Sequence, residues 1–415
     1  MTDSLADQPA EPFLLALNGG SSSIRFAFFQ VPERSSTVNL LRRTLNGQIE
    51  RIGRAGTTLQ FKEAATGSTG TLPLEAADYP AAVEYLLQWL ENRPEFATLQ
   101  AVGHRVVHGM QHSQPALIST NLLSELQTNI ALCPEHLPGE IALIEAFRTR
   151  HPALIQVACF DTAFHHDLPR VAQWLAIPRR YAALGMRRYG FHGLSCEYLM
   201  AELARVAGRT AANGRVILAH LGNGASLTAV HDGKSIDTSM GLTPSSGLPM
   251  SNRSGDLDPG LVDYLARTQN MDVAAFNKMI NTQSGLLGIS ESSSDMRDLL
   301  RAQATDVRAA EAIDFFCYQT RKWIGAFAAA LNGLDTLVFA GGIGENAPEV
   351  RARICEGLEF LGIRMDQQQN ADGNALISTL DSRVAVRLIH TDEEQIIARA
   401  IHERLTTDFK GSDNC

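Results

Sequence analysis

The chain has 415 residues, 45% of them hydrophobic and 20% charged, which suits two domains with sizeable cores and argues against disorder. A formal net charge of −9 argues against nucleic acid or an anionic membrane surface as the main partner, so an anionic ligand has to be met by locally clustered cations. Six scattered cysteines without a C-x-x-C pair, a polar and acidic segment at 1–12 in place of a leader, and no apolar run long enough for a bilayer predict a cytoplasmic protein with no membrane span.

In chain order, 1–12 and 408–415 read as frayed ends. Residues 13–30 read as strand, turn and strand, and the mixed apolar, Gly, Thr and Ser stretch 40–74 as further β-hairpins. A helix is predicted over 81–90, with Val83, Leu86, Leu87 and Leu90 on one face, then a strand over 101–107, a helix over 141–150 and a strand over 155–160. The pattern then restarts. Residues 216–231, with the Asp232-Gly233 turn, read as a hairpin. Residues 306–331 form a long amphipathic helix whose stripe includes Ile313, Phe316, Cys317, Thr320, Ile324, Phe327 and Leu331. A strand over 337–340, a helix opened by Pro348, a strand over 384–389 and a helix over 393–404 complete the chain. The order predicts two related α/β halves facing each other across a cleft. The loop 241–260 is long enough to be functional.

Three glycine turns follow short apolar runs: Asn18-Gly19-Gly20-Ser21-Ser22-Ser23, His220 to Ser226, and Gly341-Gly342-Ile343-Gly344-Glu345-Asn346. A strand that ends in a glycine turn lets backbone N–H groups approach a phosphate. Together the three suggest a nucleoside triphosphate held from several sides. A single-loop phosphate motif is absent, because Thr228 stands where Gly233-Lys234-Ser235 would need its first glycine. Gly342 to Ala347 fits a dinucleotide fingerprint with Asp366 further on, but that reading gives the other two turns no role.

Arg105, flanked by His104 and His108 at the end of an apolar strand, and Arg253, in the long Gly/Ser loop, offer planar forks for carboxylate or phosphate. His192 lies between Phe191 and Gly193, where small neighbours admit a ligand. His165-His166 lacks the companions of a zinc site. Asp161 ends a strand, where open α/β sheets bind ligands. Thr391-Asp392-Glu393-Glu394 reads as a helix cap, with Glu393 also placed to face Mg²⁺.

In order and spacing, the segments 18–26, 104–109, 160–165, 188–193, 220–226, 237–258, 284–298, 341–346 and 391–394 resemble the acetate kinases, over roughly 13–402. The resemblance implies two actin-like (ribonuclease H-like) domains with a nucleotide cleft between them, the larger group also holding sugar kinases and heat-shock ATPase domains. The lobes would be 13–161 plus 396–415, and 162–395. It implies reversible, in-line transfer of the ATP γ-phosphoryl to acetate, Mg²⁺ (or Mn²⁺) as cofactor, and a homodimer. By the same resemblance Asn18 and Glu393 surround the metal, and Ser21, Ser23, Arg25, His220, Asn223 and Gly224 lie near the phosphates. Arg105 and Arg253 hold the acceptor carboxylate and the moving phosphoryl, with His192, His136 and Asp161 beside them. Asp295, Met296, Arg297, Gly342, Ile343, Gly344 and Asn346 fall on the adenosine site, and Val107, Phe191 and Pro244 on the wall around the acyl methyl.

A carboxylic acid with a pKa of ~4 is already ionised at neutral pH, so no general base is needed and Asp161 is expected to orient an arginine or the metal's waters. Arg25 stands where that family usually has Lys, Gly19 where Cys or Ala is common, and Cys196 where His is usual, a change expected to affect packing only. Glu135 replaces an apolar residue beside the acyl pocket. It either turns away to a basic partner, the favoured reading, or admits a more polar acid. The rival functions are a kinase of another short-chain acid, an actin-like ATPase and an NAD-dependent oxidoreductase built on Gly342 to Ala347.

Overall fold

The computed structural model describes residues 11–20, 22–32, 41–53 and 55–412, with side chains as far as 407. Ser21 and most of the expected frayed ends lie outside the described residues. The chain divides into two compact units, Met1–Ala163 with Asp392–Cys415, and Phe164–Thr391. Residues 162–163 and 392–395, expected in the second lobe, belong to the first unit, the latter because the last helix, Glu393–Ser412, returns to the first sheet.

The first unit is built on strands β1 (Phe13–Gly19), β2 (Ser23–Gln30), β3 (Arg42–Glu50), β4 (Thr58–Glu63), β5 (Thr69–Pro73), β6 (Leu99–Val106), β7 (Ala116–Leu117) and β8 (Ile155–Phe160), in the sheet order β5-β4-β3-β2-β1-β6-β8-β7. Strands β1 to β5 form an antiparallel meander, while β1, β6 and β8 run parallel. Leu14 to Leu17 are all fully buried, as expected of a strand covered on both faces. One face carries the helix Tyr79–Glu91, capped by Asp78, which accepts from the Ala81 N–H at 2.9 Å. The other carries Glu393–Ser412, and Gly103 lets it approach: a Cβ there would lie 2.6 Å from Ile397.

The second unit is built on β9 (Val216–Leu221), β10 (Ala225–His231), β11 (Lys234–Thr238), β12 (Thr336–Ala340) and β13 (Ala385–Leu388), in the order β11-β10-β9-β12-β13. Three antiparallel strands lead into parallel β9, β12 and β13, the arrangement that β3-β2-β1-β6-β8 shows in the first unit. Asp232 and Gly233 both have positive φ, 49° and 72°, which matches the twist of a tight hairpin. Asp306 caps the helix Val307–Ala330 by accepting from the Arg308 N–H at 3.0 Å, and the predicted stripe from Ile313 to Phe327 is buried. Among the described residues no helix is long and apolar enough to cross a membrane.

Candidate active site

In the first unit the C-terminal ends of the three parallel strands carry candidate side chains. Asn18 closes β1, Arg105 lies near the end of β6, and Asp161 follows β8. Open α/β sheets present ligand sites at this end of their strands. Arg105 donates through Nη2 to Asp161 at 2.7 Å and through Nη1 to the carbonyl of Gly19 at 3.1 Å. Its Nε is buried and makes no hydrogen bond within the described residues. Burial alone would lower the pKa of the guanidinium, but Asp161, Glu140 and Glu393 outweigh it and hold the charge more firmly than usual.

Asn18 donates from Nδ2 to Glu393 at 2.7 Å and to Glu394 at 3.1 Å. Burial and the neighbouring Glu393 push the Glu394 carboxyl up. Two carboxylates crowded at one amide form a hard-oxygen donor set of the kind that suits Mg²⁺, which takes one or two carboxylates and completes its shell with water and phosphate. Asp392 caps the helix behind them, accepting from the Gln395 N–H at 3.0 Å, and also pairs with Arg43. Arg25 pairs in register with Asn18 across β1 and β2, and its charge acts on Glu394. Ser23 closes the glycine turn, its carbonyl accepting from the Gly20 N–H at 2.8 Å. His136 is the N-cap residue of the helix Leu137–Arg150, one turn before Glu140.

In the second unit His192 adopts a left-handed conformation, φ 59°, that few non-glycine residues take up outside constrained sites. Its Nδ1 hydrogen-bonds Ser226 Oγ at 2.9 Å, and its ring stacks on His220 with centroids 4.2 Å apart. His220 Nδ1 meets Ser195 Oγ at 2.8 Å, and that hydroxyl meets Thr391 Oγ1 at 2.7 Å. Gly224 is flanked on both sides: a Cβ there would lie 3.2 Å from His192 Nε2 and 3.7 Å from Arg253 Nη1. The turn after β9, both histidines and Arg253 therefore form one cluster. Arg253 donates to the carbonyl of Pro244 at 2.9 Å. Gly341, φ 75°, packs against the end of β9, where a Cβ would lie 2.8 Å from the Leu221 carbonyl. Two of the three glycine turns thus abut. Glu345 ties them to the last crossing by accepting from the N–H groups of Gly341 at 2.9 Å and Thr391 at 3.1 Å.

Gly342 and Asn346 are exposed, Ile343 half-exposed and Gly344 buried; the Asn346 amide donates to the Gly342 carbonyl at 2.9 Å. Asn223 is exposed in the middle of its turn, accepting from the Ser251 N–H at 3.3 Å. Asp295 caps the helix Met296–Ala302 and pairs with Arg297 at 2.6 Å, which holds its carboxyl below the usual range, while Met296 is buried beneath. Val107, Phe191 and Pro244 are all buried.

Across 13–399 the chain matches the family described as the acetokinase family. The chain belongs to that family. It is 43% identical to the acetate kinase of Rhodopseudomonas palustris (strain TIE-1) over 94% of this chain and 97% of that one. It resembles the crystal structure of Porphyromonas gingivalis acetate kinase, with a TM-score of 0.81 and 34% identity over 95% and 100% of the two chains. It also resembles a propionate kinase from Francisella tularensis, with a TM-score of 0.85 and 38% identity over 94% and 98%.

Several sequence readings change. Asp366, considered as a ribose ligand, caps the helix Gln367–Ala371 with its carboxylate and is spent there. His165 is a core residue, bonded to Ser235 Oγ and the Phe191 carbonyl, each at 2.9 Å. Cys196 packs in the apolar cluster under Leu199 and Leu218. Gly19 is required by its neighbour, since a Cβ would come within 2.8 Å of the Tyr79 hydroxyl. Glu135 is exposed, so it puts no buried carboxylate beside the acyl wall; the buried one is Glu140, which the sequence reading passed over. Ser195 was missed as well, an isolated hydroxyl whose only signal is proximity in the fold, and the links from Ser226 to His192 and from Thr391 to Ser195 were not foreseen within the motifs that contain them.

Proposed function

We propose that this acetokinase-family chain catalyses reversible, direct transfer of the ATP γ-phosphoryl to acetate, giving acetyl phosphate and ADP. The observation that carries the reading is Arg105: a firmly charged guanidinium at the end of a parallel strand, oriented by Asp161. Its counterpart is the cluster of Arg253, His192 and Gly224. The acetate oxygen forms the new bond to phosphorus while the bond to the ADP oxygen breaks. The acid is already ionised, so the chain needs to position and neutralise rather than remove a proton. Arg105 and Arg253 act on the same phosphoryl and acceptor. His192, with Nδ1 engaged by Ser226, offers Nε2 as donor to the charge that develops on the phosphoryl oxygens. Asn18 and Glu393 hold Mg²⁺, which when bound neutralises phosphate charge.

Val107 in the first unit and Phe191 and Pro244 in the second are the buried apolar residues assigned to the acyl methyl. The likeness to a propionate kinase supports a second reading in which propionate is the better acceptor. An acyl hydroxamate assay with acetate, propionate and glycolate decides. The proposal predicts that acetate has the highest kcat/KM; a clear lead for either of the others would overturn it.

The chain acts as a homodimer in the cytoplasm. The helices Gly260–Gln269 and Val273–Thr282 contain no buried residue, and they expose Tyr264 and Val273, an apolar face for a second copy. The five described cysteines are all buried, which suits a reducing compartment. Light scattering of the wild type and of a Tyr264→Glu, Val273→Glu variant tests the dimer. A wild type that runs as a monomer would refute it.

A further inference from the structure

Glu140 is a buried carboxylate to which the proposed reaction gives no role. It sits on the first turn of the helix Leu137–Arg150 and is 3% exposed. Its Oε2 accepts from the Val107 N–H at 2.9 Å, and its Oε1 lies 3.6 Å from Arg105 Nη1, buried and without a hydrogen bond. The Tyr79 hydroxyl, also buried and unbonded, lies at the same spot. A Cβ on Gly19 would be 2.8 Å from Tyr79 Oη and 3.7 Å from Glu140 Cγ. One carboxylate therefore touches both the cation proposed to hold the acceptor and the backbone of the residue proposed to wall its methyl group.

We infer that Glu140 is a positioning residue for the acceptor site. One oxygen fixes the backbone at Val107, the other faces the Arg105 guanidinium, and the charge on Glu140 sets how strongly Arg105 attracts an anionic acceptor. The inference rests on the proposed roles of Arg105 and Val107. The titratable groups facing Glu140 are Arg105 from β6, Asp161 beyond β8 and Tyr79 from the helix Tyr79–Glu91; β1 contributes only Gly19, and Glu393 from the last helix acts on Arg105.

Burial pushes the Glu140 carboxyl up to about 7, against the pull of Arg105 and the Val107 amide and with a further push from Asp161. When Glu140 carries a proton, Arg105 answers to Asp161 and keeps charge to spare for the acceptor. When Glu140 is ionised, two carboxylates oppose one guanidinium. The acceptor is ionised throughout, so its attraction weakens as pH rises through neutrality.

The test is the acetate KM from pH 6 to 8.5 at saturating Mg-ATP, for wild type, Glu140→Gln, Glu140→Ala and Arg105→Ala. The ionisation of ATP and acetate is common to all four. In the wild type KM rises roughly tenfold, the equivalent of about one pKa unit of interaction, with kcat changing less. Glu140→Gln keeps an uncharged acceptor for the Val107 N–H and holds the low-pH KM across the range. Glu140→Ala releases Val107 and has a raised KM at every pH. If Arg105→Ala keeps wild-type kinetics, the reading of the site itself fails. If Arg105→Ala loses activity but wild-type KM is flat, or Glu140→Gln follows the wild-type pH profile, the Glu140 inference is overturned. Should Glu140→Ala fail to fold in a thermal melt, the wild type against Glu140→Gln decides alone.

Discussion

On the proposed reading the two units answer the same need, a guanidinium for an anionic acceptor, in opposite ways. The first buries Arg105 and balances it with charge: its side chain is 12% exposed, against a fully buried Asp161 and a nearly buried Glu140. The second keeps Arg253 half-buried in a long loop, held by the Pro244 carbonyl beside a stacked histidine pair. A buried charge is tolerated only with its partners in place, so the first arrangement ties catalysis to stability. The second separates them.

Substitution breaks the comparison most directly. Arg105→Ala and Arg253→Ala should each lower turnover by about 10²- to 10³-fold, as for loss of one strong donor to a transition state. Their stabilities should diverge. Arg105→Ala leaves Asp161 and Glu140 buried without their cation and should cost ~3–5 kcal/mol of folding stability, whereas Arg253→Ala should stay within about 1 kcal/mol of wild type. Denaturant melts read this difference, and equal melts for the two variants would dissolve the contrast.

Orientation effects come next. Asp161→Asn should lower turnover by roughly 10²-fold, because Arg105 loses its strongest anchor while no proton acceptor is lost. Wild-type turnover in that variant would remove the anchoring role. On the second unit Ser226→Ala should cost only about tenfold, since it removes the hydroxyl that fixes His192 Nδ1 and leaves the imidazole in place. Steady-state assays that find Ser226→Ala as damaging as Asp161→Asn would show that the histidine depends on its support as heavily as the arginine does.

The smallest effects are on pH stability, and they also differ in sign. His104 in β6 is buried, and burial holds its pKa down to about 3 against the pull of Gln156. Folded, it stays neutral. Its contribution is full above the ordinary value of 6.5 and is lost as pH falls below that, where only the unfolded chain takes up the proton. In the second unit burial pushes the thiols of Cys317 and Cys355 up to about 12. Their contribution is full below the ordinary thiol value of 9.0 and is lost as pH rises above it. In the first unit Glu140, raised from 4.5 to about 7, opposes His104 between those values, so hydrogen exchange resolved by peptide should show that unit loosening in acid only below pH 4.5 and the second loosening in alkali. His104→Gln should flatten the acid limb below pH 4.5 and leave the alkaline limb unchanged.

The sequence made the strand-to-turn transitions legible, because β1, β9 and β12 are apolar runs that stop at or just before glycine and both faces of the strand are covered. The apolar runs of β1, β6, β8 and β9 located Asn18, Arg105, Asp161 and the 220–226 turn at the strand ends. Glu140 stayed hidden because helix entry admits polar residues freely. Only the packing of the helix Leu137–Arg150 shows that Glu135 points outward while Glu140 points into the core. Tyr79 escaped notice because its effect on position 19 is a matter of space. Ser195 and Ser226 have no spacing that links them to His220 and His192, nor Thr391 to Ser195. The lobe boundary expected at 395/396 fell inside the predicted last helix, whereas the units divide at Thr391/Asp392, just before that helix starts.

The most direct test of the central claim is a double-mutant cycle on acetate-dependent ADP formation with Arg105→Ala, Arg253→Ala and the double variant. If both guanidinium groups stabilise one phosphoryl in flight, the double variant should lose at least tenfold less than the product of the single losses, a coupling of about 1.4 kcal/mol. Losses that multiply in full, or wild-type turnover in either single variant, would contradict it.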